Sequence, residues 1–122
     1  MSKKSQNFII PIDVYSRDIM VSIGESNEQL KSHLDKYKIS YTNYFENKIT
    51  KGRTVLFNSN QTLIRFKELT DADHNTIAHE VFHAVTFILD ALGMSFDLEK
   101  SDEAYAYLIG YVTEKIYEKL KL

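Results

Sequence analysis

The chain has 122 residues, 43% of them hydrophobic and 26% charged, which suits one packed domain and leaves little for a second. Fifteen Lys and Arg against seventeen Asp and Glu give a net charge of -2 with no basic stripe, so a nucleic-acid partner is not expected. The absence of cysteine excludes disulfides and thiolate chemistry, and no apolar run reaches the roughly 20 residues of a membrane span, so the default expectation is a cytoplasmic protein that does not enter the membrane.

In chain order, Phe8 to Tyr15 is β-prone but interrupted by Pro11, which cannot donate to a ladder and suits an edge strand. Asp18 to Ile23 alternates apolar side chains and stops at Gly24, predicting a second strand joined to the first near Ser16. Ser26 or Asn27 caps a helix from Glu28 to about Tyr37, whose stripe is Leu30, Leu34 and Tyr37. His33 beside that stripe reads as an ordinary surface residue. Lys38 to Gly52 has no clean period and is expected to be irregular or weakly helical.

Thr54 to Phe57 and Thr62 to Lys67 flank a polar tip, Asn58 to Gln61, and predict a hairpin whose second strand has one wet face. Asp71 and Asp73 offer caps for a helix that runs to Leu92 and ends at Gly93; with Ile77, Val81, Val85, Ile88 and Leu89 it reads as a buried central helix. A final helix after Ser101 runs to about Leu120 on a stripe of Tyr105, Leu108, Ile109, Val112 and Ile116, with Gly110 as a point where two helices can approach closely.

The chemistry sits in His79-Glu80-Val81-Phe82-His83 on the central helix. Residues four apart on a helix lie about 40° apart around its axis, so both imidazoles project to one side and can share a tetrahedral ion. Glu80 flanks them, where a carboxylate can accept a proton from an activated water. The bland alternative is two helix histidines in ordinary hydrogen bonds, but ionisable groups on so apolar a helix are costly unless something pairs or coordinates them. A catalytic zinc commonly takes three protein ligands. With no cysteine and no histidine downstream, the third must be a carboxylate, and Glu103 in the first turn of the last helix is the candidate, ahead of Asp102. Asp90 reads as a solvated or capping carboxylate and His74 as an exposed helix-start residue. On the face of the last helix opposite its stripe, Tyr107 or Tyr111 can donate to an oxyanion, or simply pack with a wet hydroxyl.

HEVFH followed by Ser101-Asp102-Glu103-Ala104-Tyr105-Ala106-Tyr107 resembles the gluzincin branch of zinc peptidases, in particular minimal gluzincins and small phage- or prophage-encoded zincin-like proteins. The likeness spans about residues 62–117. It implies an α+β, zincin-like fold over residues 1–122: a small antiparallel sheet of three or four strands on the HExxH helix, with a C-terminal glutamate helix. It further implies Zn2+ held by His79, His83 and Glu103, with Glu80 as general base and acid in peptide-bond hydrolysis. The strand before the active helix would hold an extended peptide or protein substrate. A metzincin would carry Gly at Thr86 and His at Leu89, which excludes that branch, and the aspartate that larger gluzincins place four residues beyond the ligand glutamate is Tyr107 here. The alternatives are a non-catalytic module stapled by the same zinc, or a phage-encoded interaction protein on a metal-free zincin scaffold. Oligomeric state is not legible.

Overall fold

The computed structural model describes residues 5–46, 48–57 and 60–121. Four strands, β1 (Gln6–Ile12), β2 (Arg17–Ile23), β3 (Gly52–Leu56) and β4 (Thr62–Phe66), and three helices, α1 (Asn27–Lys36), α2 (His74–Ala91) and α3 (Asp102–Leu120), form an α+β domain. The sheet order is β1-β2-β4-β3. The N-terminal pair is antiparallel, with Pro11 on the edge strand as its missing N–H requires. Part of the predicted hairpin tip, residues 58–59, lies outside the described residues.

The sheet is mixed, not antiparallel as expected. β2 and β4 run parallel, with Val21 opposite Ile64, whereas β3 pairs antiparallel with β4. A parallel neighbour needs a crossover connection, and here α1 supplies it, carrying the chain across one face of the sheet. Ser26 starts that helix with a reciprocal cap: its hydroxyl accepts from the Gln29 N–H while the Gln29 side chain accepts from the Ser26 N–H.

Strand alternation then divides the core in two. Ile19, Val21, Ile23, Ile64 and Phe66 face α2 and α3. Met20 and Leu63 face the other way, onto Leu30, Leu34, Ile39, Tyr44 and Phe57. The first helix therefore does not join the last around the central helix but covers the opposite face of the sheet. β4 consequently has no wet face, and all five of its residues are buried. Arg65 is buried there because its guanidinium donates to the Glu25 carbonyl and the Asn27 side chain, both at 3.0 Å.

Asp73, rather than Asp71, caps α2 by accepting from the Thr76 N–H at 2.8 Å. The Thr76 N–H, followed by its side chain and nearby Lys51 and His74, holds the Asp73 carboxyl below the usual aspartate range. Gly93 at φ +83° ends the helix in the left-handed region where a side chain would be strained. Sheet and α3 take two sides of α2, leaving a third outward: Ala78, His79, Phe82 and Asp90 are exposed, so the helix is not enclosed all round. Along α3, Tyr105, Leu108, Val112 and Ile116 are buried as the stripe predicts. Tyr105 fixes the intervening loop by donating to the Met94 carbonyl at 2.7 Å, and its burial raises the phenol's pKa. Gly110 is exposed with open space where a Cβ would stand, so it makes no close helix contact. No helix among the described residues is long and apolar enough to cross a membrane.

Candidate metal centre

The one-turn spacing of His79 and His83 brings their Nε2 atoms to 3.2 Å on the outward side of α2. Two nitrogens bound at about 2.05 Å to a tetrahedral ion stand about 3.3 Å apart, so the pair spans one edge of such a polyhedron with almost no movement. A hydrogen bond between one neutral imidazole and another gives a similar distance. His83 is steadied by stacking on Phe87, at 6.3 Å between ring centroids, while the His79 side chain is 64% exposed and reachable from solvent.

Glu80 lies on the other side of the same turn, pressed against the sheet and only 6% exposed. Its Oε1 accepts from the Thr54 hydroxyl of β3 at 2.6 Å, and Thr54 Oγ1 is also 3.1 Å from the Glu80 carbonyl. The second carboxylate oxygen, Oε2, is 3.9 Å from His79 Nε2, outside hydrogen-bond range but beside the pair. Gly52 makes this approach feasible: a Cβ there would stand 3.1 Å from Glu80 Cγ and from Thr76 Cγ2. Neither Gly52 nor Thr54 was singled out from sequence. The available signal was a Gly-x-Thr spacing at the start of a strand, which puts both residues on one face.

The remaining expected site residues are not gathered here. Glu103 is exposed in the first turn of α3. Among the described residues no group of three His, Asp or Glu side chains converges as an ion would need. The two imidazoles are thus spaced as two corners of a tetrahedral metal site would be, and Glu103 does not join them. Tyr111 donates to the Pro11 carbonyl of β1 at 2.7 Å, and Tyr107 is 72% exposed beside the same cleft, which Ile12 to Tyr15 line. β1 and β3 are opposite edges of the sheet, so both tyrosines belong to a different flank from Glu80. His74 is exposed as expected and touches the Tyr117 hydroxyl.

One cleft, of 310 Å3, borders the pair and is walled by Lys51, Gly52, Thr76, His79 and Glu80; a second, of 400 Å3, opens further along α2 between Phe82, Thr86, Asp90, Phe96 and Tyr105. β4 is interior, so the open strand next to the histidines is β3 rather than the expected Thr62 to Lys67 run.

His33 also departs from expectation. Its Nδ1 lies 2.8 Å from Oε2 of Glu25, a buried carboxylate whose Oε1 accepts from Asn7 and Ser22 at 2.8 and 2.7 Å. Comparison of the chain with protein-family models, curated proteins and solved structures gave no match.

Proposed function

We propose that this chain is a zinc-dependent peptide hydrolase in which His79 and His83 hold the ion and Glu80 is general base and then general acid. The observation that carries the reading is the pair of Nε2 atoms 3.2 Å apart with a buried carboxylate oxygen 3.9 Å from one of them. Zinc, when bound, supplies a Lewis acid that polarises a carbonyl and acidifies water. Glu80 takes the proton of the attacking water and passes it to the leaving amine, ending in its starting state. Glu103 is the third ligand in this reading, which requires its exposed side chain to turn toward the pair. The open edge of β3 offers main-chain hydrogen bonds to an extended peptide. Because Tyr107 and Tyr111 lie on the β1 flank and the Tyr111 proton is engaged by Pro11, the oxyanion donor falls to a main-chain N–H of the β3 edge.

A second reading is a zinc-binding interaction module without catalysis, in which the exposed Glu103 and the two imidazoles meet ligands supplied by a partner. Glu80→Gln separates the two. If the chain is a hydrolase, the variant keeps its zinc content and fold but loses cleavage of an unfolded protein such as casein by on the order of 10²–10⁴-fold. Metal analysis of untagged protein should give one zinc per chain, lost in His79→Ala and His83→Ala and held more weakly in Glu103→Gln. A wild-type protein that binds zinc and leaves casein intact would establish the interaction module instead.

A further inference from the structure

We infer that Thr54 is a positioning residue that keeps Glu80 as a proton acceptor beside the ion and out of the ion's coordination shell; this rests on the hydrolase reading. Glu80 adjoins a ligand histidine, and Oε2 is already 3.9 Å from His79 Nε2. A carboxylate at that range is itself a good zinc ligand, and once coordinated it no longer serves as a base. Keeping the two roles apart requires a restraint on the glutamate side chain.

Thr54 provides it. Its hydroxyl is 2.6 Å from Oε1, in the strong range for a donor to a carboxylate. β3 carries that hydroxyl toward α2 because Thr54 sits opposite Ile64, whose side chain is in the core on the α2 side. Gly52, two residues earlier and on the same strand face, lets the backbone close on Glu80 Cγ, so the methylenes are held from one side while Thr54 holds one oxygen. A β-branched residue with few χ1 choices is a rigid mount for such a donor. The oxygen left over is the one nearer the imidazoles.

Valine removes the hydroxyl while keeping the branched shape, and serine keeps the hydroxyl. In Thr54→Val, kcat on labelled casein should fall by about ten- to hundred-fold with KM changed by less than about two-fold. Thr54→Ser should recover to within about three-fold of wild type. With Co2+ in place of zinc, the visible spectrum of Thr54→Val should shift toward higher coordination number as Glu80 joins the ion. The double variant Thr54→Val/Glu80→Gln should return to the wild-type spectrum. Wild-type kcat together with an unshifted spectrum in Thr54→Val overturns the inference while leaving the hydrolase reading standing. An inert wild type overturns the hydrolase reading and the proton-acceptor role with it, a shifted Thr54→Val spectrum then showing only that Thr54 restrains the carboxylate, and failure of the wild type to take up Co2+ likewise overturns both.

Discussion

Two buried glutamates in this molecule each stand beside a partly exposed histidine, and their surroundings give them opposite uses. Glu25 spends both oxygens on protein groups: Asn7 and Ser22 donate to one, and His33 Nδ1 lies 2.8 Å from the other. Those partners come from β1, β2 and α1, so the carboxylate ties together three elements at the end of the sheet. Glu80 has one oxygen held by Thr54 and the other beside Gly52, 3.9 Å from His79 Nε2. A carboxylate with two donors on one oxygen and an imidazole packed against the other is a structural tie, whereas one with an oxygen free of donors beside two imidazoles is open to a proton. Composition does not separate the two; the number of engaged lone pairs does.

The largest expected effect tests this contrast through stability. Glu25→Ala leaves the fully buried Ser22 hydroxyl and the Asn7 amide without their acceptor and should cost about 2 kcal/mol in urea denaturation. Glu80→Ala should cost less than about 1 kcal/mol, because the Thr54 hydroxyl has the residue 80 carbonyl already 3.1 Å away as a replacement. Equal losses from the two substitutions would break the distinction.

Gly52→Ala sharpens the Glu80 side of it. The new methyl would press on Glu80 Cγ at 3.1 Å, so either β3 or the carboxylate must give by a few tenths of an ångström. Under the proposed hydrolase reading turnover should drop roughly ten-fold, since small misplacements at a reacting group are expensive. The thermal midpoint should move by only a few degrees. An alanine variant with wild-type turnover would show that the close approach of β3 has no bearing on Glu80.

The smallest effect concerns the start of α2, which aims both histidines. The folded Asp73 carboxyl titrates below its unfolded value of about 3.9, so its contribution is complete above that pH and disappears as pH falls through the lower, folded value. Stability measured between pH 5 and pH 2 should therefore decline less in Asp73→Asn than in the wild type. Parallel declines would remove the cap from the account.

Much of the fold was legible because its signals are local. The alternation in β2, the edge placement of the Pro11 strand, the Ser26 and Asp73 caps, the left-handed Gly93 and the α3 stripe each follow from the chemistry of a few neighbouring residues. The one-turn spacing of His79 and His83 is local in the same sense, and α-helical geometry alone converts it into convergent nitrogens. What spacing could not give is anything set by pairing across the chain. Whether β2 and β4 run parallel depends on where α1 crosses, and that choice buried β4 on both faces and left β3 as the open edge.

Sequence by itself thus determined the elements, the caps at Ser26 and Asp73 and the side-by-side imidazoles, because each depends on residues within a helical turn or a strand's length, whereas Ser101, expected to cap α3, makes no side-chain cap bond and donates to the Ser95 carbonyl instead. Tertiary structure alone decided that Thr54 and Gly52 close on Glu80, that Tyr111 is taken by Pro11, and that Glu103 stands exposed. Those outcomes come from elements 26 to 100 residues apart competing for the same surfaces, or from one side chain having no such partner, and no window along the chain contains both sides of the competition.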